Sequence, residues 1–193
     1  MSLVDRFAAA FEGSSVAHGQ TTVGDVRKNG KTEAKSFIVR EPLVKTLVAA
    51  HLKGEHGVGS IPINDQNMCK FGALDIDTYP VDHAAILKKC RRFKLPLVVC
   101  RSKSGGAHLF LFMQDWISAT DMRDHLMEFA AVLGYGGCEV FPKQNKILAE
   151  RGDVGNFINL PYFDSENTLR YAFNNKGEDL SLEGFLDQVD KVK

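Results

Sequence analysis

The sequence predicts an α+β fold built on a split β-α-β-β-α-β unit, with an additional α/β segment before it. Three observations predict this. Short runs with a period of two recur between residues 71 and 141. Between them lie two stretches with helical apolar spacing, the second carrying a capping residue at each end. Turn-forming Pro, Gly and Ser separate the runs at hairpin or crossover lengths.

The elements follow in chain order. MSLVDRFAAAFEGS reads as a short amphipathic helix ending at Gly13. Residues 14 to 40 are polar and punctuated by glycine, consistent with strands and loops. EPLVKTLVAAHLKG, from Glu41, places Leu43, Leu47 and Val48 at helical spacing, with Pro42 near the first turn and Gly54 as a cap. Residues 71 to 77 alternate as a strand, 81 to 94 (VDHAAILKKCRRFK) read as a helix, and 95 to 101 (LPLVVCR) as a second strand. SKSGG turns into a third strand, AHLFLFM, at 107 to 113. A helix over 118 to 134 has Ser118 as N-cap and Gly134 as C-cap, and CEVF (138 to 141) is a fourth strand. GNFINLPYF (155 to 163), a strand over TLRYAF (168 to 173) and a helix from Ser181 complete the chain.

This order is the split βαβ arrangement of ferredoxin-like and RNA-recognition folds. The first strand lies in the middle, between the third and fourth, and both helices cover one face while the other stays open. At 193 residues the chain is expected to form a single domain. Its parts are an N-terminal α/β subregion (1–66), a core (67–175) and a C-terminal helix (176–193).

Side chains alternate across a strand, so Asp75 and Asp77 share the open face while Leu74 and Ile76 point to the helices. The same parity puts Leu109 and Leu111 inward with His108 outward, and Cys138 and Val140 inward with Glu139 outward. Asp75, Asp77, His108 and Glu139 are therefore expected on one surface. Phe110 and Phe112 read as packing residues under the N-terminal segment. The basic run Lys88, Lys89, Arg91, Arg92 and Lys94 falls on a helix at the far side of the sheet.

Two like charges on one strand face repel unless a cation lies between them. Carboxylates two residues apart span roughly 6.5 Å, within reach of a pair of divalent ions about 3.5 to 4 Å apart. Oxygen ligands without thiolate favour Mg²⁺ or Mn²⁺ over Zn²⁺, and Mg²⁺ completes its shell with water and substrate phosphates. The implied substrate is a phosphate ester or a nucleotide. The turn before His108 fits it: Arg101, Ser102, Lys103, Ser104, Gly105 and Gly106 combine cations, hydroxyls and flexible backbone able to wrap a triphosphate. Lys143 and Gln144, just past Glu139, and Asn156 and Asn159 add polar contacts.

The net charge is zero, so nucleic-acid binding must rest on local basic patches. Residues 164 to 193 are net negative by three, which leaves the rest net positive by three. Cys69, Cys90, Cys100 and Cys138 form no CxxC pair and sit in apolar runs, as reduced core thiols do; no zinc site is expected. No basic leader or long apolar run is present, so a cytoplasmic protein without a membrane segment is expected.

At LDID (74–77), SGGAH (104–108) and CEVF (138–141) the sequence resembles the archaeo-eukaryotic primase superfamily, the catalytic domains of primases and primase-polymerases. HLKG (51–54), IPIND (61–65), EVFPKQ (139–144) and GNFINLPYF (155–163) are similar, more narrowly, to primase domains of phages, mobile elements and TOTE conflict systems. The resemblance implies that Asp75, Asp77 and Glu139 hold divalent metals, that His108 and Ser104 contact the nucleotide triphosphate, and that Lys143 is a phosphate cation. Glu139 stands where many relatives have Asp.

The function so implied is template-dependent nucleotidyl transfer from NTP or dNTP, making or extending primers on single-stranded DNA. A helicase or another replication domain is a candidate partner in the full system. Template contact is expected from Arg27, Lys28 and Lys31 in the basic, Gly-rich N-terminal part. Two alternatives stand beside it. A non-catalytic RNA-recognition domain would present aromatics on the open face, and a metal nuclease such as a rolling-circle initiator would carry an HxH pair with a nucleophilic tyrosine.

Overall fold

The computed structural model describes residues 1–26 and 32–193. Arg27, Lys28 and Lys31 lie outside the described residues. The chain runs α1 (Leu3–Ala10), β1 (His18–Val26), β2 (Thr32–Val39), α2 (Lys45–Leu52), β3 (Gly57–Ser60), β4 (Met68–Ile76), α3 (His83–Phe93) and β5 (Leu97–Arg101). It continues through β6 (Ala107–Ser118), α4 (Ala119–Leu133), β7 (Glu139–Phe141), β8 (Ile158–Asn159) and α5 (Leu182–Val192). These strands form two antiparallel sheets, β2-β1-β3-β8 and β5-β6-β4-β7, so the class is α+β.

Local chemistry sets the helix ends. Ser2 and Asp5 form a capping box on α1, with the Ser2 hydroxyl accepting from the Asp5 N–H at 3.1 Å. Ser118 caps α4 by accepting from the Asp121 N–H at 3.0 Å, and Gly134 ends it in the left-handed region at φ 85°. Pro42 falls before α2, which starts at Lys45. Arg6 bridges α1 to α5 through Asp187 (2.8 Å) and Asp190 (2.7 Å).

The second sheet has the expected split order, with β4 between β6 and β7. Its helix face buries Leu74, Ile76, Leu109 and Leu111 against Ile86 and Leu87 of α3 and Met122 and Leu126 of α4. The other face differs from expectation, because it is covered. Phe71, Ala73, Phe110 and Phe112 pack under Phe7 of α1 and Phe11 at its C-cap, Phe185 of α5 and Val58 and Ile158 of the first sheet. Phe11 meets the rings of Phe71, Phe110 and Phe112 edge-on at 5.2 to 5.4 Å. The cause is visible in AHLFLFM, whose two faces are both apolar, as in strands buried on both sides.

The strand expected over 168 to 173 does not form a ladder; Ala172 and Phe173 make only isolated bridges, to Cys100 and Asp179. Its hydrogen-bonding groups are divided, since the Arg170 carbonyl accepts from the Tyr162 N–H while the Tyr171 carbonyl accepts from the Arg101 N–H. All four cysteines are free thiols, and burial pushes Cys69 up to about 12 and Cys90 up to about 11. No helix among the described residues is long and apolar enough to cross a membrane.

His51 on α2 is fully buried. Its Nδ1 accepts from the Val58 N–H (3.2 Å) and its Nε2–H donates to the Pro161 carbonyl (2.8 Å), which ties α2 to both β3 and the 155–163 segment. Burial lowers its pKa from 6.5 to about 4. The folded state therefore binds this proton less well than the unfolded chain. Stability from the neutral ring is full above pH 6.5 and drains as pH falls towards 4, a loss on the order of 3 kcal/mol. Urea midpoints measured from pH 7 to pH 4 should show a steeper decline in wild type than in His51→Gln, which keeps a donor and an acceptor without a titrating ring.

Candidate active site

Strand pairing brings the acids and the histidine together. Asp75 stands opposite His108 of β6 on one side and opposite Glu139 of β7 on the other. Phe71 and Ala73 share its face, so that face is apolar for most of β4 and turns charged at its end, where the covering helices give out. The His108 Nε2 lies 3.4 Å from the Asp75 Oδ1, without hydrogen-bond geometry. That oxygen is buried and has no hydrogen-bond partner. A buried carboxylate oxygen without a donor is costly unless a cation reaches it.

Asp77 lies one residue past β4 and is exposed; its Oδ1 accepts from the Tyr79 hydroxyl at 2.9 Å. Beside it the SKSGG turn closes on itself, with the Ser102 N–H donating to the Gly106 carbonyl (2.9 Å) and the Gly105 N–H to the Ser102 carbonyl (3.1 Å). Gly105 is left-handed at φ 89°. A Cβ on Gly106 would come within 2.6 Å of the Ile76 carbonyl, 2.8 Å of the Asp77 Oδ1 and 2.9 Å of the Ser102 Oγ. Only glycine lets the turn seat this closely on the end of β4. His83, the first residue of α3, donates from Nε2 to the Gly106 carbonyl at 3.0 Å and holds the turn from behind.

Asp75, Asp77, Ser102, Lys103, Ser104, His108 and Asn159 line one cleft of about 640 Å³, which also contains Arg170. Asn159 enters it from the first sheet, where its Oδ1 accepts from Thr21 at 3.0 Å. Arg170 was not singled out in the sequence; its only signal is a cation inside the otherwise apolar TLRYAF. Its guanidinium stands over the Phe163 ring at 5.3 Å, its one hydrogen bond among the described residues is a long one (3.5 Å) to the Leu160 carbonyl, and burial lowers its pKa. Among the described residues no carboxylate pairs with it. A half-buried guanidinium in that state is suited to an incoming anion. Acids and bases thus line one cleft.

Other expected residues lie elsewhere. Arg101 follows the parity of Val99, which packs on the helix side, while its neighbour Cys100 faces His108. Its guanidinium accordingly donates to the Leu169 carbonyl (3.0 Å) and lines a separate cleft with His83 and Tyr171. The alternation rule applied to β5 would have placed it there. Glu139 is exposed and paired with Lys143, whose Nζ donates to its Oε1 at 2.9 Å. Among the described residues no three His, Cys, Asp or Glu side chains are gathered as metal ligands, so strand register sets Glu139 beside Asp75 without bringing its carboxylate into the cleft. Gln144 and Asn156 bond each other, the amide of Gln144 donating to the Asn156 Oδ1 at 2.6 Å, outside the cleft lining.

A family model described as the archaeo-eukaryotic primase domain of TOTE conflict systems matches residues 13–178. Among solved structures, the archaeo-eukaryotic primase domain of the cyanophage S-2L primase-polymerase is 13% identical with a TM-score of 0.47, over 96% of this chain and 97% of that one. No curated protein matches.

The fit of the turn against β4 gives a direct test. Gly106→Ala should cost roughly 1 to 3 kcal/mol, because the nearest atom to the new Cβ is backbone and cannot swing away. Gly137→Ala, with nothing within 4 Å of the added atom, should leave the unfolding midpoint in place. Chemical denaturation of both variants alongside wild type reads the contrast.

Proposed function

Because the chain belongs to the archaeo-eukaryotic primase domain family of TOTE conflict systems, we propose that it is a template-dependent nucleotidyltransferase that makes or extends primers from NTP or dNTP on single-stranded DNA. One observation carries the reading. The donor-less buried Oδ1 of Asp75 shares a cleft with Asp77 and with Arg170 and Lys103, which pair with no carboxylate among the described residues. That is the charge pattern of a cation-bridged polyphosphate.

The residues present fit a divalent metal. Asp75 and Asp77 would hold it, and an oxygen-only donor set suits Mg²⁺ or Mn²⁺. When bound, such an ion supplies Lewis-acid polarisation of the α-phosphate and acidifies the attacking 3′-hydroxyl. The chain's own groups do the remaining work. Ser104, Lys103 and Arg170 bind the phosphate oxygens and fix the nucleotide's orientation. His108, held by β6 against Asp75, donates to a phosphate oxygen as charge builds on it. Asn159 lines the same cleft, and its Oδ1 is taken up by Thr21, which turns its amide to donating. Glu139 joins the acids only when Lys143 turns away from it, and a phosphate offers Lys143 that alternative.

The competing readings lack support in the molecule. A sheet that reads RNA by stacking needs exposed aromatics, whereas Phe110 and Phe112 are no more than 1% exposed. The rolling-circle pair is missing too, since the residue two after His108 is Phe110.

Primer extension on a labelled primer–template with Mn²⁺ and NTPs or dNTPs tests the proposal. Product should form with wild type and fall by about three orders of magnitude or more in Asp75→Asn and Asp77→Asn; equal product from those variants would remove the carboxylates from the reaction. Asp75→Asn should also be at least as stable as wild type in EDTA, because it removes a buried charge with no donor. Added Mn²⁺ should raise the melting temperature of wild type alone. Arg170→Ala should raise the nucleotide KM about tenfold with a smaller change in kcat, and Arg170→Lys should recover part of the loss.

A further inference from the structure

The two acids of the cleft are held by different means. Asp75 is fixed by ladder pairing on both sides, but the ladder ends at Ile76 opposite Ala107, and Asp77 lies beyond it. What restrains the Asp77 carboxylate is Tyr79, whose hydroxyl lies 2.9 Å from its Oδ1 and also in hydrogen-bond contact with the Ser104 Oγ. Ser104 in turn meets the buried Ser102 at 3.3 Å between hydroxyl oxygens. Tyr79 is 52% exposed as a residue and lies outside both core clusters. We infer that Tyr79 is a positioning residue that couples Asp77 to Ser104, so that cation binding at the acids and phosphate binding at the turn assist each other. The inference rests on the nucleotidyl-transfer reading of this site.

Proton bookkeeping gives the coupling its direction. A carboxylate only accepts, so the Tyr79 proton goes to Asp77, the stronger, charged acceptor. The Tyr79 oxygen then accepts from Ser104, and Ser104 accepts from Ser102. In this order the Ser104 proton is committed to Tyr79 and is not free for a phosphate. Asp77 would hold a cation through the oxygen that draws the Tyr79 proton. Tyr79 would then turn its O–H to the Ser104 oxygen, and the Ser104 O–H would be released to donate to a phosphate oxygen. No bond breaks other than hydrogen bonds, and each hydroxyl keeps one proton throughout. By linkage the converse holds, and phosphate on Ser104 favours a cation on Asp77 to the same degree.

Calorimetric titrations of Mn²⁺ alone, of a non-hydrolysable nucleoside triphosphate alone and of the two together test this in wild type, Tyr79→Phe, Ser104→Ala and the double variant. The expected result is that Mn²⁺ strengthens nucleotide binding about fivefold less in Tyr79→Phe than in wild type, with an unchanged melting temperature. The double variant should be no weaker than the worse single variant, because both remove the same link. Tyr79→Phe behaving as wild type, or single effects that multiply in the double variant, overturns the coupling while leaving the polymerase reading intact. A wild-type chain that shows the non-additive cycle yet extends no primer overturns the polymerase reading and keeps the coupling. A wild type that binds neither Mn²⁺ nor nucleotide overturns both.

Discussion

The register in which Asp75 lies between His108 and Glu139 is the constraint on which the rest of the molecule depends. Because side chains alternate with a period of two, the same register that buries Phe71 and Ala73 under α1 and α5 must present Asp75 on that face. A slip by one residue would send the acids into the helix-side core and the leucines outward. Packing on both faces of the sheet therefore does more than stabilise it. It fixes the one alignment that leaves a carboxylate oxygen buried without a donor, and rigid surroundings allow that cost to persist.

Around that point, the placement of each group follows from how its segment ends. The SKSGG turn is pressed against the last residues of β4, because Gly106 has no side chain to hold it off. Arg170 reaches the cleft because its segment divides its hydrogen bonds between Tyr162 and β5 instead of forming a ladder. Glu139 remains outside because Lys143, four residues on, offers a closer counter-charge than the cleft does. Two of the three expected acids thus line the cleft, and the third is paired outside it.

Much of this was legible in the sequence. Strand order, helix sides and the shared face of Asp75, Asp77 and His108 follow from period-two alternation and the β-α-β-β-α-β order, which are local signals. Cover over the second face was legible in part, since AHLFLFM is apolar on both sides, yet its occupants come from segments more than 40 residues away in either direction. Arg101 was misplaced by reading the turn as a composition and not carrying β5's alternation one residue further. Arg170 and Tyr79 had only a faint local signal. One is a cation in an apolar run and the other a turn residue, and their importance comes from neighbours that only the tertiary fold supplies.

The mixed charge of the cleft has a further consequence. Two carboxylates, a half-buried guanidinium and Lys103 set both signs of charge around a space of about 640 Å³. Opposite charges grouped so closely cancel with distance, so the cleft projects little field beyond its mouth and acts on what has already entered. Added electrolyte therefore weakens contacts at the exposed rim more than those made inside.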